Sequence, residues 1–189
     1  MLSKHIPLAK NILKDEVRHE KMLIDMLDEE RLRYSSAIVL GLNDAIVELT
    51  GALAGFTLAL QNSRIIAVAG LITGVAASLS MASSQYLSTK SGDGKENPLK
   101  ASTYTGIAYL FTVLFLISPY LFSTNLYLSL GLTVINAIIV ILIFTYYISV
   151  AKSLSFRKRF LEMALISLGV AAVTFGISYL IKIVWGIGV

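Results

Sequence analysis

Residues 41–55 read "GLNDAIVELTGALAG", an apolar run that carries two acids, Asp44 and Glu48, one helical turn apart. The run is flanked by further apolar residues, so that roughly 36–60 forms a stretch long enough to cross a bilayer, which takes about 20 apolar residues. A charge at the centre of a membrane costs at least about 2.5–3.5 kcal/mol, so two in one span call for partners, protons or a ligand. At i and i+4 they share one helix face, and Gly51 and Gly55 continue it on a 100° wheel.

The rest of the 189-residue chain has the same character. It is 56% hydrophobic and 15% charged, with a mean hydropathy of +0.74, whereas a soluble domain carries nearer a quarter charged residues. Four more segments have spanning length, roughly 65–88, 101–122, 126–150 and 163–187. The fold class expected is therefore an all-α integral membrane protein with five transmembrane helices over 35–189, preceded by a charged cytoplasmic segment over 1–34. The start "MLSKHIPLAK" leads into a charged amphipathic stretch and predicts no cleavable signal peptide. The absence of cysteine excludes disulfides, thiolate metal sites and iron–sulfur clusters.

Lysine and arginine set the orientation. Seven lie ahead of the first span; Lys90, Lys95 and Lys100 lie between the second and third; Lys152, Arg157, Lys158 and Arg159 lie between the fourth and fifth. The other side has Arg64, with Lys182 near the end of the last span, where it snorkels to the interface. The positive-inside rule puts the N-terminus in the cytoplasm and the C-terminus outside. The net charge of +4 is thus topological, and no nucleic-acid partner is expected.

Of the twelve acids, only Asp44 and Glu48 lie within a span. In the second span Gly70, Gly74, Ala77 and Met81 form one stripe flanked by Ser84 and Gln85. Both glycine rows have the small-xxx-small spacing that lets another backbone approach. Oxygen ligands suit hard cations and a thioether softer ones, so Asp44, Glu48, Met81 and Gln85, with Asn43 beside them, suit a borderline divalent ion, Fe²⁺ foremost. Against this, a membrane methionine usually serves packing, glycine pairs are common in membrane helices, and the two acids could cap or bond a neighbouring helix.

Residues 10–33 predict one charged helix with a partly buried stripe of Ile12, Leu13, Val17, Ile24 and Leu27. Within it Glu16-x-x-His19, with Glu20 adjacent, has the spacing that di-iron four-helix bundles draw from each of two helices. One such motif is half of a site or less, and a solvated face is the competing reading.

"GLNDAIVELTGALAG", "AASLSMASSQYLSTKSG", "ISPYLF" and "FRKRFLEMALISLGVAAVTFGISYLI" together resemble the vacuolar iron transporter family from about residue 36 onward. The resemblance implies a five-helix homodimeric transporter moving Fe²⁺, and often Mn²⁺, out of the cytosol, in its best-known members by proton exchange. It makes Asp44 and Met81 the leading candidates for the metal path. The departures are Ala45 where many members have Gly, Glu48 where they have a small polar residue, and Ser84-Gln85-Tyr86 in place of Gly-Glu-Tyr. The connector "TKSGDGKENPLK" is too short for the plant-type metal-binding insertion. "DEVRHEKML" resembles the last helix of the ferritin-like, rubrerythrin-type domain of some prokaryotic relatives, which implies a prokaryotic cell membrane and a truncated or remnant domain.

The expectation is a transporter with divalent ions and protons as its partners, no prosthetic group and no enzymatic activity. A carboxylate trading a proton for a cation would supply the antiport. The glycine rows of both spans are expected to meet across a two-fold dimer seam, together with Asp44 and Glu48. The alternative is a membrane-anchored iron-binding or ferroxidase module that uses the Glu16/His19 helix, and a passive channel is a third reading.

Overall fold

The computed structural model describes residues 12–20, 22, 34–92, 96–151 and 154–185. The chain divides into two units, Met1–Ser35 and Ser36–Val189. In the first, residues 12–20 are helical and exposed, with Arg18 and Asp15 pairing at 3.9 Å. The apolar stripe expected to be partly buried is exposed at Ile12, Leu13 and Val17. Ile24 and Leu27 lie outside the described residues.

The five long apolar stretches are helices α1 (Ser35–Leu60), α2 (Ser63–Ser91), α3 (Pro98–Phe122), α4 (Leu126–Ala151) and α5 (Phe156–Trp185). All five are long and apolar enough to cross a membrane, a 26-residue helix reaching about 39 Å. Among the described residues every regular element is helical, as hydrocarbon demands, because a helix satisfies its backbone polar groups internally. Asn62 caps α2 by accepting from the Arg64 and Ile65 amides, and Asn97 caps α3 ahead of Pro98. Gln61, at φ 48°, makes the left-handed turn that lets α2 fold back directly after α1.

α5 starts at Phe156, ahead of the expected 163, so most of the basic connector is a first helical turn. Arg159 pairs with Glu162 at 3.5 Å along its exposed side, and Phe156 stacks on Phe160 and meets Tyr146 of α4 edge-on. Charged residues lower the hydropathy of such a turn without costing it helicity.

The core lies where α1, α2 and α3 meet. Ile46, Leu49 and Leu53 interlock with Ile66, Ala67, Tyr109, Val113, Leu116, Ile117 and Tyr120, and Ala137 and Ile141 of α4 close it. Gly74 admits the Val113 side chain to its backbone, a space that a Cβ would fill. The outward faces are apolar, with Phe111, Phe122, Ile143, Leu165 and Val184 all well exposed, as suits side chains solvated by lipid.

Candidate metal path on the first membrane helix

Asp44 and Glu48 stand one turn apart on α1, with Asp44 partly buried and Glu48 exposed. The helix there is locked from behind by Ala45, Ile46 and Leu49, each at most 1% exposed, so both carboxylates are held at the edge of the core. The sequence reading did not anticipate the third member of the group. Tyr109 of α3, completely buried, donates its hydroxyl to Glu48 Oε2 at 2.7 Å. The Asp44 carboxylate lies within electrostatic reach of both Glu48 and that hydroxyl. A charge-assisted bond of this kind is short and about twice as strong as a neutral one.

Tyr109 belongs to a polar seam that joins α3 to α1. Thr105 places its hydroxyl 3.0 Å from the Ala37 carbonyl, and Gly41 faces the Thr105 carbonyl so closely that a Cβ would lie 2.5 Å from it. Farther along, the Tyr120 and Thr57 hydroxyls lie 2.6 Å apart. The signal was present as Thr105, Tyr109 and Thr112 at helical spacing in an otherwise apolar span. It went unread because hydroxyls in membrane helices commonly bond back to their own helix, as Thr112 does to Ala108 at 2.8 Å.

The glycine rows do not form an open seam. Gly51 and Gly55 are buried against α5 of the same chain, where added Cβ atoms would lie 3.0 Å from Val170 and 2.9 Å from the Ser178 hydroxyl. Thr174 fixes this contact by donating to the Gly51 carbonyl at 2.7 Å. Gly70 meets Leu53 of α1 and Ile117 of α3, and Gly74 meets Val113. The expectation that these four glycines face a second copy is therefore corrected: a small-xxx-small row admits any close helix, and the chain's own helices fill both rows.

The other expected ligands are more scattered. Met81 is half-buried and packs against the core cluster. Gln85 donates its amide to Thr89 at 3.1 Å, one turn on. Asn43 lines a cavity of about 280 Å³ between α1, α4 and α5, together with Ser36, Thr145, Arg159 and Met163. Glu16, His19 and Glu20 are exposed on their helical stretch. Among the described residues no three His, Cys, Asp or Glu side chains converge as a metal site.

No curated protein matches the chain. A family model does: residues 35–93, which cover α1, α2 and the start of the connector after them, match the VIT family. That segment contains Asp44, Glu48, Met81 and Gln85. The likeness to the VIT family lies in these first two helices, and five helices long and apolar enough to cross a membrane make the chain a membrane protein.

Proposed function

We propose that the protein carries Fe²⁺, and Mn²⁺ as a second substrate, out of the cytosol in exchange for protons, along a path lined by Asp44, Glu48 and Met81. The observation that carries this reading is the pair of carboxylates one turn apart on α1, the only acids of that helix, with Asp44 partly buried and Glu48 exposed. A carboxylate so placed is costly unless it meets a counter-charge, and a divalent ion or protons supply one in turn. Loss of the ion on the far side is compensated by protonation, which couples the two fluxes. The N-terminus and the basic connectors face the cytoplasm in this reading, and the membrane is that of a prokaryotic cell.

A homodimer completes the path. Two carboxylates are too few to enclose a divalent ion, which takes six or more oxygen ligands when hard, and Glu48 is exposed on the isolated chain. A second copy set against the Asp44/Glu48 portion of α1 shields that charge from lipid and doubles the oxygen donors. Gln85 and Asn43 extend the path on either side, and Glu16, His19 and Glu20 collect ions at the cytoplasmic mouth.

The test is metal flux into proteoliposomes containing the purified protein, with and without an imposed pH gradient. Mn²⁺ uptake that follows the gradient and alkalinises the lumen in step, as protons leave in exchange, is the expected result. Flux indifferent to the gradient would replace antiport with a passive channel, and absence of flux for Fe²⁺ and Mn²⁺ alike would overturn the substrate assignment.

A further inference from the structure

The Tyr109–Glu48 bond gives the path a property that two bare carboxylates would lack. A free glutamate can offer both oxygens to one cation or a single oxygen. Here Oε2 already accepts a hydrogen bond from the Tyr109 hydroxyl at 2.7 Å, and the phenol has little room to withdraw, since Tyr109 is completely buried in the core cluster. Its neighbours on α3, Thr105 and Val113, are themselves buried, the one bonded toward Ala37 and the other seated against Gly74. The donor therefore has a fixed position, and the flexible acid takes its direction from it. An oxygen engaged in this way is a weaker donor to a metal than its free twin.

We infer that Tyr109 is a positioning residue that holds Glu48 as a single-oxygen ligand and thereby sets the ion preference of the path against Ca²⁺. Ca²⁺ takes six to eight oxygens and is commonly held by bidentate carboxylates, whereas smaller divalent ions accept fewer donors at shorter distance. A carboxylate with one oxygen tied to a phenol favours the smaller ion. Exclusion of Ca²⁺ matters to any transporter with oxygen ligands, because charge alone does not distinguish the divalent ions. The inference rests on the reading of Asp44 and Glu48 as the metal path.

The experiment measures Mn²⁺ uptake and its inhibition by Ca²⁺ in proteoliposomes of the full chain. Tyr109→Phe keeps the ring and removes only the donor. The half-saturation concentration for Mn²⁺ should rise about tenfold, as expected for a lost bond to a charged group, while Ca²⁺ becomes about tenfold more effective as an inhibitor relative to Mn²⁺. In a Glu48→Ala background, which removes the acceptor altogether, the same substitution should change neither quantity, because the coupled partner is already gone. Should Tyr109→Phe fold poorly, Glu48→Asp carries the test: it keeps the charge, withdraws the carboxylate from the phenol by one methylene and leaves the core untouched, and should relax Ca²⁺ exclusion in the same direction. An unchanged Ca²⁺-to-Mn²⁺ ratio in both variants would overturn the inference, as would an equal effect of Tyr109→Phe with and without Glu48. Full Mn²⁺ flux from Asp44→Asn would instead remove the metal path itself, so the two failures are told apart.

Discussion

Two halves of one face of α1 have different surroundings. Toward the N-terminus the face carries Asp44 and Glu48, the one partly buried and the other exposed. Toward the C-terminus it carries Gly51 and Gly55, both buried against Val170, Thr174 and Ser178 of α5. On a helical wheel these four residues are neighbours, and nothing in their spacing separates them. The difference arises because α5 can approach only where α1 has no side chain, and there Thr174 bonds the Gly51 carbonyl. Small residues allow close contact within the chain, and the larger charged ones are left less covered. One half of the face is packed into the fold, and the other is the half that the proposed metal path uses.

That division can be broken at either half. The largest effect is expected at the open one: Asp44→Asn should lower Mn²⁺ flux on the order of 100-fold, the equivalent of about 2.7 kcal/mol, while thermal unfolding in detergent stays as in the unsubstituted protein. A stable variant with full flux would remove Asp44 from the mechanism. At the covered half the order of consequences reverses. Gly51→Leu forces a side chain into Val170 and should cost about 1–3 kcal/mol of stability, as overpacking does, lowering the yield of folded protein before it alters transport per folded molecule. Unchanged stability would mean that the contact with α5 is not required by the fold.

The smallest effect is expected away from α1 altogether. Glu16→Ala combined with His19→Ala removes two exposed groups, and exposed charges contribute only about 0.2–1 kcal/mol. The half-saturation concentration should rise about twofold to threefold at unchanged maximal flux. No change at all would make this helix a solvated surface, and loss of maximal flux would place it on the path itself.

Much of the architecture is legible in the residues. Five apolar runs of spanning length become five helices, because in hydrocarbon the helix is the local solution that leaves no backbone group unpaired. The exception in extent, α5, began early because a charged turn can be helical without being apolar. Asp44 and Glu48 were equally legible, since an acid inside a span stands out against its neighbours. Tyr109 was not, because a tyrosine in a membrane helix is ordinary until the helix opposite it is known, and the packing of Met81 against the core cluster likewise needed its neighbours placed.

By itself the sequence determined which segments cross the membrane and which two carboxylates cross with them, both of which follow from the free energy of transferring side chains into hydrocarbon. Only the tertiary structure decided which helix fills which glycine row and which hydroxyl holds Glu48. Those choices depend on contacts between residues 61 positions apart in the case of Glu48 and Tyr109, and 123 apart in that of Gly51 and Thr174. Transfer energies are local and additive along the chain, whereas close approach and hydrogen bonding between helices depend on how all five are placed at once.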